Sequence, residues 1–286
     1  MKEKPLRRRG KRKGERIMKI GICGTAANLR TAKAVGYDYM EASASAIAAM
    51  SEEEFAALAA ENEAVRDESF EGVKVCNGLF PGDLALVGPA AELAKVRAYM
   101  EKLLPRLAKL GVETVVFGSG AARKCPVGFD AASALEQLVA VARLVAELAD
   151  AYGIRVGMEH LNKSETNNLN SVTETYAFVK KAAEGLPAGA SVPGITMDTY
   201  HVTRENEPLA AILPLFGAVY HCHTAHPDGR GIVTAGDLPY LYAVMGGLMA
   251  AGYAGRFSLE CGMQDYEKDG AAARQVLRAA AAVCAL

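Results

Sequence analysis

No two cysteines of this chain are spaced as CxxC: Cys23, Cys76, Cys125, Cys222, Cys261 and Cys284 are scattered. That spacing excludes a thiolate-rich zinc site and offers no disulfide framework. Free thiols in a reducing, cytoplasmic compartment are the expectation. No apolar run reaches the roughly 18 residues of a membrane span without a glycine, polar or charged interruption, so no membrane association is expected. A Gly-x-Gly-x-x-Gly fingerprint is also missing after the first apolar run, which leaves a doubly wound dinucleotide-binding sheet without support. There is no excess of charge, the formal net value being -1. The five histidines all fall at or after position 160.

What the chain does have is apolar bulk, with 51% hydrophobic and 23% charged residues over 286 positions. That is enough to bury a large core in a single domain. Its charge is uneven, because residues 1–17 carry nine Lys/Arg against two Glu, a local +7 that leaves about -8 for the remainder. This segment has no apolar stretch of a secretory signal and no amphipathic spacing. We expect a basic, disordered leader over 1–17 and one domain over 18–286.

Within that domain, short β-rich runs alternate with longer Ala/Leu-rich stretches that carry charges at helical spacing. Eight runs read as strands: 19–25, 37–43, 73–79, 113–119, 154–160, 194–200, 218–224 and 256–262. The clearest helices are 90–110, 131–152 and 271–285. Gly111, Gly153 and Gly255 each precede a strand and are expected as left-handed helix caps. Eight successive βα units close most simply into a single-domain α/β fold, the (β/α)8 barrel. Its working face is the carboxyl end of the strands.

Four of those strand ends in the second half carry metal-type side chains: Glu159, Asp198, His223 and Glu260. Alternation along a strand puts Glu159 on the face of Gly157, Glu260 on that of Ser258, and His223 on that of His221. Charges facing into a barrel are costly unless paired or bound to a metal. Three carboxylates and one imidazole suit a hard-to-borderline ion, Mn²⁺ first, with Co²⁺ or Mg²⁺ as alternatives. No organic cofactor is expected. His223 is preferred to His221 because it lies one pleat nearer the mouth, and His221 is held as an alternative ligand or a supporting histidine. Glu41, at the end of the second strand, is expected as a supporting partner or a structural charge. In the first half, Asn77 and Phe80 could wall a substrate pocket, and Arg123 in a Gly-rich turn could cradle an anionic group.

Several motifs are carried by these same residues: ExxNKxE at 159–165, MDTYH at 197–201, HxHTAHxxxR at 221–230 and SLE at 258–260. In them the chain resembles the xylose-isomerase-like sugar isomerases and epimerases, above all the ketose 3-epimerases of the tagatose/psicose group. The resemblance implies one Mn²⁺ or Co²⁺ held by Glu159, Asp198, His223 and Glu260. It also implies that Glu165, His201 and Arg230 hold substrate hydroxyls. Arg230 comes one residue later than the group's spacing, behind HPDG in place of a short acidic segment, which bears on the sugar more than on the metal.

The implied chemistry is inversion of a ketose or ketose phosphate at C3 through a cis-enediolate, with Glu159 and Glu260 moving the proton on opposite faces. Two alternatives share the apparatus or the fold. Dehydratases and keto-glycoside lyases of the same superfamily pass through a similar enediolate, and a metal-dependent sugar-binding protein would carry no chemistry. A DNA-repair nuclease barrel needs histidines from early strands, which this chain lacks, and no nucleic-acid partner is expected. The partner is a small sugar, and a homo-oligomer, dimer or tetramer, is expected.

Overall fold

In the computed structural model, residues 18–187 and 189–284 are described. The basic leader expected over 1–17 lies outside them, as does Ala285 at the end of the last expected helix. Among the described residues eight strands follow one another around a closed barrel. They are β1 (Lys19–Cys23), β2 (Tyr39–Ser43), β3 (Val73–Asn77), β4 (Thr114–Phe117), β5 (Arg155–Glu159), β6 (Gly194–Asp198), β7 (Val219–Thr224) and β8 (Arg256–Leu259). Each pairs in parallel with the next, and β8 closes on β1. No helix among the described residues is long and apolar enough to cross a membrane.

Most strands stop short of the apolar runs that contain them, and at β6 and β8 the reason lies at the mouth. Asp198 is both the last residue of β6 and the cap of helix Thr199–Arg204, its Oδ1 accepting the Tyr200 N–H at 2.8 Å. Positions 199–200 therefore coil where a strand was expected. Glu260 likewise lies one residue past β8, although its N–H still donates to the Thr224 carbonyl at 3.0 Å.

Helices Leu93–Leu110 and Ala131–Asp150 stand where their charge spacing puts them, and the last helix, Tyr266–Cys284, begins earlier than expected. Gly111 and Gly153 are left-handed, at φ 81° and 67°. The third cap is a correction. The left-handed residue after helix Leu238–Ala250 is Gly252, at φ 84°. Gly255 instead makes room for a ring, since a Cβ there would stand 2.5 Å from Tyr253 Cζ.

Inside the barrel, the layer below the mouth includes Tyr39, Val75 and Val116, all fully buried. Tyr39 reaches across to Ser258 Oγ at 2.7 Å, and the Arg256 guanidinium lies 4.9 Å from the centre of its ring. Gly21 is what admits the Tyr39 ring, because a Cβ there would fall 2.2 Å from its Cζ. Gly21→Ala should therefore cost about 1–3 kcal/mol of stability through overpacking. Urea denaturation measures it, and an unchanged midpoint would show that the ring has space to move.

Candidate metal centre

Glu159, Asp198, His223 and Glu260 converge at the mouth, with one donor atom from each lying within 4.8 Å of all the others. The first three are buried, and the Glu260 side chain is 24% exposed. They come from four neighbouring strands, β5 to β8, whose inward faces meet because the sheet is closed. A shift of register between Ile195 and Thr196 places β7 so that His221 and His223 both face inward beside β6. Irregularities of this kind commonly re-aim side chains at such sites.

His223 is gripped at both ring nitrogens. Its Nδ1 lies 2.8 Å from Glu159 Oε1 and 3.0 Å from Glu260 Oε2, while Nε2 donates to Glu41 Oε1 at 2.8 Å. The other oxygen of Glu41 accepts from His221 Nε2 at 2.8 Å. His221 thus stands behind Glu41, outside the group of four, and Glu41 buttresses both rings. A carboxylate on the far nitrogen of a metal-type histidine fixes the tautomer that leaves the other lone pair free.

The remaining expected residues distribute unevenly. Arg230 enters the cluster directly: its Nη2 donates to Glu260 Oε2 at 2.6 Å and to Asp198 Oδ2 at 3.1 Å, and its Nη1 is 3.4 Å from Glu165 Oε1. Its guanidinium sits 5.0 Å from the centre of the Tyr200 ring. The HPDG segment that delays it is a tight loop in which Gly229 and Arg230 are both left-handed, at φ 64° and 53°. For a residue with a Cβ that conformation carries strain, and the loop is held by Gly262 N–H donating to the Arg230 carbonyl at 2.8 Å.

His201 is fully buried, and its Nδ1 accepts from the Asn162 backbone N–H at 3.2 Å, so its proton belongs on Nε2. That nitrogen has no hydrogen-bond partner and lies 3.4 Å from Asp198 Oδ2. Asn77 donates from Nδ2 to Glu260 Oε1 at 2.9 Å. Phe80 is buried, with ring centres 5.1 Å from Phe117 and 5.4 Å from Tyr99. Arg123 is fully buried too, and its Nη1 donates to the Glu159 carbonyl at 2.8 Å. It braces the end of β5 from behind, where a cradle for an anion was expected.

Three contributors were not singled out beforehand. Asn162 bridges His201 Nδ1 and Glu165 Oε1 through its side-chain amide, at 2.9 and 2.8 Å. His160 accepts the Asp198 N–H on Nε2 at 3.2 Å. Cys23 joins Glu41 and His223 in a second group of donors within 4.8 Å of one another. Asn162 was visible in the ExxNKxE motif, whereas the other two acquire their neighbours only from barrel closure.

Charge crowding sets the protonation of the cluster. Burial pushes the Asp198 carboxyl up to about 7, with Glu159 and Glu260 adding to it against Arg230. Burial likewise raises Glu159. Glu260 also feels burial, but the charges of His223 and Arg230 outweigh it and hold the group at about 2. Burial works against a charged His223, yet Glu41, Glu260 and Glu159 together raise it well above the usual imidazole range. Three carboxylates around one imidazole nitrogen form an oxygen-rich donor set that fits a hard or borderline divalent cation. Such an ion would replace the positive charge that His223 and Arg230 now supply.

A family model described as "Xylose isomerase-like TIM barrel" matches residues 29–282. Among curated relatives, the D-psicose 3-epimerase of Agrobacterium fabrum is 26% identical over 216 residues, covering 72% of this chain and 68% of that protein. Among solved structures, the D-allulose 3-epimerase of Methylomonas sp. in complex with D-allulose superposes with a TM-score of 0.75 at 18% identity, over 92% of this chain and 97% of that one. The 3-keto-D-glucoside 4-epimerase from E. coli superposes with a TM-score of 0.72 at 17% identity, over 92% and 99%. The two structural likenesses establish the fold.

Two outcomes are expected of the centre itself. Binding of an ion must expel protons from His223 and from Asp198, so Mn²⁺ affinity measured by calorimetry should rise with pH through about 7 and fall as Asp198 protonates below it. A pH-independent affinity would place the ion elsewhere. Replacing Glu41 by Gln should weaken Mn²⁺ binding by about 10- to 100-fold although Glu41 holds only the far nitrogen of His223; wild-type affinity in that variant would deny it the supporting role.

Proposed function

Since the chain belongs to the xylose isomerase-like TIM barrel family, we propose that it is a divalent-metal-dependent sugar epimerase, inverting a ketose or ketose phosphate at C3. The observation that carries this reading is the convergence of two carboxylates from different strands, Glu159 and Glu260, on His223 Nδ1, at 2.8 and 3.0 Å. Support comes also from the curated relative, a D-psicose 3-epimerase.

Glu159, Asp198, His223 and Glu260 would hold the ion, for which Mn²⁺ suits the donor set, Co²⁺ and Mg²⁺ being close in preference. Bound there, a divalent cation supplies the positive charge that makes a carbon next to a carbonyl acidic enough to give up its proton. The proton traffic falls to the two glutamates. Ligation to the ion would keep both carboxylates largely ionised until substrate binds. One carboxylate removes the carbon proton from one face of the sugar, and the other returns a proton to the opposite face. Inversion follows without change of mass.

Orientation of the sugar is assigned to the polar groups around the pair. His201 offers its Nε2–H, held in that tautomer by Asn162. Glu165 and Arg230, 3.4 Å apart, and Asn77, hydrogen-bonded to Glu260 Oε1, are the further polar groups beside the pair. Arg230 releases Glu260 and Asp198 when an ion takes over their charge, which frees its guanidinium for substrate oxygens. Hydroxyl groups meeting buried, half-satisfied donors in this way are strongly selected by shape and hydrogen bonding.

The test is direct. Mn²⁺-loaded protein incubated in D₂O with a panel of free and phosphorylated ketoses should wash deuterium into the inverted position of one of them, with no loss of water or aglycone by mass spectrometry. Glu260→Gln should fold normally and lose roughly 10²- to 10⁴-fold in turnover, the usual contribution of a positioned acid or base. Full activity in that variant, or in metal-free protein, would sink the assignment. A product lighter by water would replace epimerisation with elimination.

A further inference from the structure

A second set of donors lies on the far side of His223. Cys23 ends β1 as the register partner of Glu41 on β2, so both side chains enter the barrel at the same height. Cys23 Sγ, a Glu41 oxygen and a His223 ring nitrogen fall within 4.8 Å of one another. Glu41 meets His223 through Nε2 at 2.8 Å, opposite the Nδ1 that faces Glu159 and Glu260. His221 Nε2 adjoins the other Glu41 oxygen, also at 2.8 Å. Asn77 points its Nδ2 at Cys23 Sγ from 3.6 Å while donating to Glu260, so one side chain links the two sets.

The chemistry of the two sets differs. Around Nδ1 the partners are carboxylates, whereas around Nε2 they are a thiol, one carboxylate and a second imidazole. A thiolate with an imidazole and a carboxylate selects zinc-like and softer ions over hard ones. We propose that Cys23, Glu41 and His223 Nε2 form a second metal site for a thiophilic divalent cation, Zn²⁺ or Cd²⁺, and that its occupation excludes the hard ion from the first site.

Exclusion follows as long as the ring keeps one proton, since only loss of both would let it bridge two ions. A neutral imidazole has one lone pair, on whichever nitrogen lacks the proton. Donation from Nδ1 to the first site requires the proton on Nε2, where Glu41 accepts it. Capture of a cation at Nε2 requires the reverse, with the proton on Nδ1 between Glu159 and Glu260. Coordination also releases the Cys23 thiol proton to solvent as the sulfur becomes a thiolate ligand. A thiophilic ion would thus silence the centre without entering it. The exclusion rests on the assignment of Nδ1 to the first site under the proposed function, whereas the existence of the second site does not.

The experiment uses the full chain stripped of metal by chelation and titrated with Cd²⁺, whose bond to a thiolate gives an ultraviolet charge-transfer band. Wild type should develop the band to one equivalent. Cys23→Ser and Cys23→Ala, both small changes, should keep the wild-type circular dichroism and Mn²⁺ binding, lack the band, and bind Cd²⁺ at least about tenfold more weakly. Mn²⁺ added first should suppress the band in proportion to its occupancy. A band that persists in both variants, or Cd²⁺ binding to wild type without a band, overturns the site. A band indifferent to Mn²⁺ overturns the exclusion. Failure of wild type to bind Mn²⁺ at all would count against the proposed function alone, since the cadmium band still decides the second site.

Discussion

Four acidic side chains meet around one imidazole at the mouth of the barrel, and the arrangement stands only because positive charge lies between them. Glu41, Glu159, Asp198 and Glu260 are largely withdrawn from water, where like charges at hydrogen-bonding separations repel by several kcal/mol. Unpaired, they would neutralise by taking up protons, as Asp198 begins to do. Burial raises Glu159 in the same way, whereas His223, helped by His221 and Arg230, keeps Glu41 and Glu260 from following. The imidazole joins Glu41 below to Glu159 and Glu260 above, and the guanidinium joins Glu260 to Asp198. A buried carboxylate set balanced by two movable or titratable cations is poised to exchange them for a metal ion.

The barrel supplies what this balance needs from the scaffold. Below the centre, Tyr39, Val75 and Val116 form an apolar floor, and the Tyr39 hydroxyl spends itself on Ser258. Behind β5, the buried Arg123 holds the Glu159 carbonyl and so fixes the strand end from which one carboxylate projects. Gly118 leaves the space that the carboxylate fills, since a Cβ there would lie 2.3 Å from Glu159 Oε2. Register shifts in the β2–β3 and β6–β7 pairs fall beside Glu41 and below His221 and His223, the residues that form the central chain. The irregular parts of an otherwise repetitive sheet are thus concentrated where the polar side chains must converge.

Much of this was legible in the chain because it follows from periodicity. Alternation by two along β5, β7 and β8 put Glu159, His223 and Glu260 on inward faces, and the count of βα units implied that those faces meet. Spacing within motifs placed His201 and Glu165 near the same mouth. What failed to be legible were properties that depend on depth or on distant partners. Arg123 read as a cradle for an anion, because nothing local reveals that its loop folds over β5. The Phe80 ring packs against Tyr99 and Phe117 from neighbouring units, contacts that no local pattern reveals. Gly255 read as a helix cap, while the helix ends earlier and Gly252 takes the left-handed turn.

By itself, then, the sequence determined the eight-unit barrel and the placement of Glu159, Asp198, His223 and Glu260 at inward strand ends, since each depends on local order: residue type, pleat parity and distance from the strand end. Tertiary structure alone decided which atoms touch. Glu41 and Cys23 lie in the first two strands, far along the chain from His223, and only closure of β8 onto β1 brings the first strands around to face the seventh. The two faces of that imidazole, one toward carboxylates and one toward Glu41 and a thiol, are a consequence of closing the ring of strands, and no local pattern encodes them.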